Sequence, residues 1–345
     1  MNNSPDLLKT PSRIKPSLEQ QKKKFHKEFH TFYHILKNSK NFLLVAHSYP
    51  DFDTLGSNVA LYRFLKQNNK KVTITCTQEL PSEISHLYPS IYLENPENLS
   101  LHSYDVIIAC DSVDRGFSTI IYPQIDITKQ ITVIIDHHPD ITTRADVMIL
   151  DQSASSACEL LTKFFYSQNI EISSLMATSL LSGILGDTGN FQHTNTTKQV
   201  LKITSLLLNK GAHLKKISSG IFANKKLSTL QLWGKALENA KINKEIGVII
   251  TGITQKEITD CHAHSEEISQ VANMLATVPG IHFSLVLTQY DAYTVKGSLR
   301  AEPTHNNPID LSQLAHKLGG GGHALASGFT LKGHLIQRKN DWIIL

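Results

Sequence analysis

The chain has 345 residues, 41% of them hydrophobic and 19% charged, a globular composition long enough for two ordinary domains. No apolar run reaches the roughly 18 residues of a spanning helix, and Met1 to Gln20 lacks the apolar core of a signal peptide, so a membrane protein is not expected and a cytoplasmic location is. The formal charge of +4 is small for this length and argues against a general nucleic-acid coat, while leaving room for a local basic site for an anionic substrate.

Residues 1–16, rich in Pro, Ser, Asn and Lys, read as a disordered leader, and a helix is expected from about Ser17 to Leu36. On it His26, His30 and His34 recur every four residues. Interleaved with Phe25, Phe29, Phe32 and Tyr33, they read as a packed or solvated face rather than a metal stripe, and Lys22 to Lys24 as a solvated one. Short β-branched runs then alternate with helical patterns: LLVAH, Thr54 to Gln67, KVTITC, DVIIACD and ITVIID. Continuous apolar strands alternating with helices imply a parallel sheet covered on both faces.

The acids fall where those strands end. His47, Asp51 and Asp53 follow the first run, Asp111 closes the DVIIAC run, and Asp136, His137 and His138 close ITVII. In open parallel sheets the ligand crevice lies beyond the carboxyl ends of the strands. An apolar helical pattern from about Ile172 runs into Gly186 and adds Asp187. Further helices are expected over Thr196 to Lys210 and about Leu214 to Ala223.

The expected domains are a doubly wound, mainly parallel α/β domain over 17–222, a linker over 223–235, and a smaller α/β domain with a mixed sheet over 236–345. In the second, EIGVIITGIT, SEEISQVANMLAT, HFSLVLTQY, YTVKGSLR and DLSQLAHKL read as strand, helix, strand, strand and helix, and the last stops at Gly319-Gly320-Gly321-Gly322-His323. The cysteines Cys76, Cys110, Cys158 and Cys261 form no CxxC pair and are expected to be reduced and mostly buried. The CHAH cluster at Cys261 to His264 has ligand residue types but no evident partner pair nearby.

Asp and His together suit a borderline divalent ion such as Mn²⁺, Fe²⁺, Co²⁺ or Zn²⁺. His47, Asp51, Asp53, Asp111, His137 and Asp187 are six side chains, too many for one open catalytic ion and enough for two that share a carboxylate. Two ions about 3.5–4 Å apart can clamp the attacking and leaving oxygens of a displacement at phosphorus and lower the pKa of a bridging water. The reaction class expected is phosphoryl-ester hydrolysis.

HSYPDFDTLGS resembles the HxxPDxDxxGS motif of the DHH phosphoesterase superfamily. ACDS, IDHHPD and GDTGNF resemble its later motifs in order, and LGGGGHALASGF resembles the signature of the DHHA1 domain that accompanies it. The resemblance spans about Asn41 to Leu331 and implies the short DHH–DHHA1 proteins that hydrolyse oligoribonucleotides of a few residues, linear or cyclic dinucleotides such as pApA and c-di-AMP, and 3′-phosphoadenosine 5′-phosphate (pAp). It implies two Mn²⁺ per chain, with Co²⁺, Fe²⁺ or Mg²⁺ as substitutes: His47 and Asp51 would hold one, Asp53, His137 and Asp187 the other, and Asp111 would bridge them. His138 would face the scissile phosphate and Asp136 would orient an imidazole.

Arg300 and the loop of Gly320, Gly321, Gly322 and His323 would bind the far end of the substrate and measure its length, with Arg115 either an exposed ion-pair partner or a phosphate contact. The partners implied are short RNA or dinucleotides, with no membrane and no long duplex nucleic acid, and relatives suggest a homodimer. Tyr49 stands where many relatives carry Asn, Ala324 where a basic residue is common, and AEPTHNNPID looks longer than usual. These departures bear on substrate choice. The alternatives are a longer-strand 5′ exonuclease, for which no added nucleic-acid domain is visible, and a non-catalytic nucleotide sensor, which would have lost a ligand where none is missing.

Overall fold

The computed structural model describes residues 25–139, 141–220, 226–302, 309–338 and 341–345. The leader over 1–16, the start of the first helix and part of the segment after Arg300 lie outside them. The chain divides into two compact units, Met1–Asn224 and Lys225–Leu345.

The first unit is built on strands β1 (Asn41–Val45), β2 (Lys71–Thr75), β3 (Leu93–Glu94), β4 (Val106–Cys110), β5 (Ile131–Asp136) and β6 (Val147–Leu150). They pair in the order β3-β2-β1-β4-β5-β6, parallel throughout. Such a sheet reverses its winding between β1 and β4, and ligands bind beyond the strand ends at that point. Central strands buried on both faces account for the unbroken apolar runs. One face packs β1 residues Phe42 and Leu44 into the larger core, and the other packs Leu43 and Val45 into a second.

Helices α1 (His26–Asn38), α2 (Phe52–Gln67), α3 (Ala157–Ser167), α4 (Ser174–Asp187), α5 (Lys198–Asn209) and α6 (Leu214–Ser218) accompany the sheet. The chain supplies N-caps where four of them begin: Asp51, Ser156, Ser173 and Thr197 each accept a hydrogen bond from a backbone amide of the first turn, satisfying donors that a helix start leaves unpaired. On α1 the phenylalanines Phe29 and Phe32 are buried and His26, His30 and His34 face solvent. A π-helical segment, Val113–Ile121, follows Asp111, where the sequence pattern announced no helix.

Two glycines let α2 and α4 press together. A Cβ on Gly56 would overlap Ser179 O, and one on Gly183 would overlap Cys158 Sγ and stand 2.7 Å from Asp53 Oδ1. No other residue permits that approach.

The second unit begins with α7 (Leu227–Glu238), whose Leu232 and Ala236 enter its core. Most of the expected linker, 223–235, is therefore helix rather than a connecting loop: its apolar positions recur at helical spacing and find a core to bury against. Its main sheet is mixed, as expected, in the order β11-β12-β10-β9-β8-β7, from Lys241–Asn243 (β7), Val248–Ile253 (β8), Phe283–Asp291 (β9), Thr294–Arg300 (β10), Gly321–His323 (β11) and Ala326–Lys332 (β12). Only the β8–β9 pair is parallel among these.

The expected glycine loop is in part a strand. Gly321–His323 pairs antiparallel with β12. A Cβ on Gly320 would overlap Gly328 O, and one on Gly322 would stand 2.7 Å from Ser327 Cα. The glycines thus admit close backbone packing, and backbone hydrogen bonding wins over an open loop.

Candidate metal centre

Each candidate ligand is delivered by the end of a strand or helix. His47 leaves β1, and its Nδ1 donates to Ser48 O at 2.8 Å, which turns Nε2 toward the carboxylates. Nε2 lies 3.3 Å from Asp51 Oδ2 and 3.8 Å from Asp111 Oδ2. Asp51 divides its oxygens: Oδ1 caps α2 by accepting from the amides of Asp53 and Thr54, and Oδ2 faces His47. Helix cap and candidate ligand coexist in one side chain.

Asp111 begins where β4 ends and adopts φ 53°, a left-handed conformation that a non-glycine residue seldom takes without a functional reason. Its two oxygens face different histidines. Oδ2 looks toward His47, while Oδ1 lies 3.6 Å from His137 Nε2 and 3.3 Å from His138 Nδ1.

On the far side, His137 Nε2 is 3.2 Å from Asp187 Oδ2 and 3.9 Å from Asp53 Oδ2. Asp53 is fully buried. Its oxygens accept from the first two amides of α3, Ala157 N at 2.7 Å and Cys158 N at 2.9 Å, where the positive end of the helix favours an anion. No spacing rule along the chain would have paired residues so far apart in sequence.

Three groups of side chains bring potential ligand atoms within 4.8 Å of one another: His47, Asp51 and Asp111; Asp53, His137 and Asp187; and Asp111, His137 and His138. His47 Nε2, Asp111 Oδ1 and His137 Nε2 are buried without a hydrogen-bond partner. Unmet buried polar atoms are costly, and bonds of about 2.1 Å to a shared cation set neighbouring ligand atoms roughly 3.0–3.4 Å apart. The separations observed fit residues arranged around cations better than a hydrogen-bonded network.

The electrostatics of the protein alone carry the same sign. Burial, followed by repulsion from Asp187 and Asp111, pushes the Asp53 carboxyl well above the usual range. Burial likewise raises Asp187, to about 6. For His137 burial acts downward, but the carboxylates of Asp111 and Asp187 overcome it and raise the imidazole to about 12. The cluster holds more negative charge than its own histidines neutralise, the condition that divalent cations relieve.

Asp136 lies beside the candidate ligands. Its Oδ1 accepts from the His138 amide at 3.0 Å and from the ring Nδ1 at 2.9 Å. Burial would raise its carboxyl, yet these bonds outweigh it and hold Asp136 below the usual range. Asp111 and then Asp136 raise His138 to about 10.

Of the remaining predicted residues, Arg300 is half-buried, and its Nη1 donates to Leu299 O at 2.8 Å and Ser327 O at 3.4 Å. Gly320 immediately precedes β11, and Gly321 and Gly322 lie in it. The side chains of Arg115 and His323 lie outside those the structure describes. Tyr49 is 67% exposed with φ 67°. Among the described residues, no helix is long and apolar enough to cross a membrane.

Comparison with known proteins supplies further findings. The family model described as "DHH family, N-terminal domain" matches residues 41–184, and the DHHA1 domain matches residues 246–343. A probable bifunctional oligoribonuclease and PAP phosphatase NrnA of Streptococcus mutans is 28% identical over 87% of this chain and 92% of its own length. A cyclic-di-AMP phosphodiesterase PdeA of Listeria monocytogenes is 24% identical over 90% of this chain and 48% of its own. The crystal structure of an exopolyphosphatase-related protein from Bacteroides fragilis superposes with a TM-score of 0.79 at 24% identity, covering 88% of this chain and 91% of that one, a likeness of fold.

Proposed function

The chain belongs to the DHH–DHHA1 phosphoesterase family, and from that premise we propose that it is a Mn²⁺-dependent phosphodiesterase that hydrolyses short oligoribonucleotides and linear or cyclic dinucleotides to mononucleotides, with phosphatase action on pAp. The observation that carries this reading is Asp111, whose two carboxylate oxygens face His47 on one side and His137 on the other. Relatives named for oligoribonuclease, PAP phosphatase and cyclic-di-AMP phosphodiesterase activities support the substrate class.

His47 and Asp51 would hold one cation, Asp53, His137 and Asp187 the other, and Asp111 both. Bound there, the cations would supply a lowered pKa for water and neutralisation of phosphoryl charge. The chain's own part begins with Asp136, which fixes the His138 ring through Nδ1. The other ring nitrogen is then the one offered to a scissile phosphate. With Nδ1 held by Asp136, His138 would present its other ring nitrogen where negative charge grows in the transition state. Substrate contact is assigned to Arg115 and to Arg300, Gly320, Gly321, Gly322 and His323.

The test is kcat/KM on pApA, cyclic di-AMP, oligoribonucleotides of two to ten nucleotides and pAp in one buffer with Mn²⁺. Turnover concentrated on the shortest substrates is expected. Equal rates on two- and ten-nucleotide RNA would refute the length preference, and no hydrolysis of any of them would refute the activity.

A further inference from the structure

The candidate ligands Asp53 and Asp187 come from different helices, and something must hold them in register. A chain of contacts does so. Asn195 Nδ2 donates to Asp187 O at 3.1 Å and to Ser155 O at 3.3 Å. Both partners are carbonyl oxygens, which only accept, so the amide nitrogen must be the atom facing them. Ser155 is gripped from its other side as well, its backbone N–H donating to Glu159 Oε2 at 2.7 Å, while Glu159 Oε1 meets Lys163 Nζ at 2.6 Å with both side chains buried.

Ser155 stands two residues before Ala157, and the amides of Ala157 and Cys158 hold the Asp53 oxygens. One carboxamide therefore ties the residue that bears Asp187 to the turn that aims two amides at Asp53. His193 Nδ1 adds a second donor to Asp187 O, at 2.9 Å. Between Asp187 and His193, Gly189, Asn190 and Phe191 have φ of 53°, 56° and 69°, three successive left-handed residues that turn the chain so that His193 and Asn195 meet the Asp187 carbonyl.

We infer that Asn195 is the positioning residue of the Asp53–His137–Asp187 cation site, acting through the carbonyls of Asp187 and Ser155 and not on substrate. The inference rests on the cation-dependent reading above. A residue that orients ligands from behind alters cation affinity, commonly by about 10–100-fold, whereas one that only supports the fold alters melting and leaves affinity intact.

The experiment is calorimetric titration of the full chain with Mn²⁺ in the absence of substrate, for the wild type, Asn195→Ala and Asn195→Asp. The wild type should bind two ions. In both variants one of the two should weaken by about 10–100-fold while the other is unchanged. At limiting Mn²⁺ kcat on pApA should fall with it, should recover as Mn²⁺ is raised, and KM should not move. Two ions bound with wild-type affinities in Asn195→Ala, or a loss of kcat that added Mn²⁺ does not restore, would overturn the assignment. Should the alanine variant not fold, Asn195→Gln, which keeps the carboxamide on a longer arm, carries the same comparison. A wild type that binds no Mn²⁺ would instead refute the reading of the centre itself.

Discussion

The two units treat charge differently. In the first, His47, Asp53, Asp111 and Asp136 are each no more than 5% exposed, and candidate ligand atoms stand buried without hydrogen-bond partners. Among the described residues of the second, the buried polar side chains are Thr, Ser and Gln, and Arg300, half-buried, rests on two carbonyls. Packing like charges into a low-dielectric crevice costs stability that hydrogen bonds alone do not return here, so the first unit is built around a cluster that its own side chains leave uncompensated. Among the described residues of the second, the buried side-chain polar atom left without a hydrogen-bond partner is the uncharged Trp342 Nε1.

The sharpest way to break this contrast is Asp111→Ala. Loss of the carboxylate shared between the two halves of the cluster should lower kcat on pApA by more than about 10³-fold, with an unchanged far-UV circular dichroism spectrum, and retained turnover would sink the two-cation mechanism. His138→Ala should cost about 10²–10³-fold in kcat. Asp136→Asn, which leaves His138 in place but loosens its hold, should cost about 10-fold, so a larger loss from Asp136→Asn than from His138→Ala would reverse their assigned roles.

Chelation tests the stability side. Restoring Mn²⁺ to about 100 times its Kd should stabilise the first unit by about 2.7 kcal/mol per bound ion and leave the second unmoved, read as separate transitions in calorimetry. A uniform shift of both transitions would erase the distinction. Gly183→Ala should destabilise the first unit by about 1–3 kcal/mol, because the new methyl overlaps Cys158 Sγ and crowds Asp53, measured as a fall in Tm. The smallest effect is expected in the second unit: Arg300→Ala should raise KM for pApA about 10-fold with kcat held, and a loss confined to kcat would place Arg300 with the chemistry instead.

Much of the fold was legible because its cause is local. Continuous β-branched runs announce strands buried on both faces, and the helical patterns from about Ile172 and over Thr196 to Lys210 anticipate α4 and α5. The glycines misled where several physical reasons converge on one residue type. Gly320 to Gly322 suit an anion-binding loop, but they equally suit a strand that packs its backbone against β12. The linker misled because its apolar positions, though at helical spacing, do not by themselves reveal what they pack on.

The candidate site divides along the same line. The sequence by itself determined which side chains stand at the ends of strands and helices, since polar residue types break apolar runs where the chain leaves the core, and their chemistry names the kind of ligand they suit. Only the tertiary structure decided how those ends meet: that Asp111 turns one oxygen to each histidine, that Asp51 both caps and faces the cluster, that α3 aims two amides at Asp53, and that Asn195 joins Asp187 to Ser155. Apart from the Asp51 cap, those relations join groups far apart along the chain and depend on which oxygen of a carboxylate turns which way, so no local side-chain pattern encodes them.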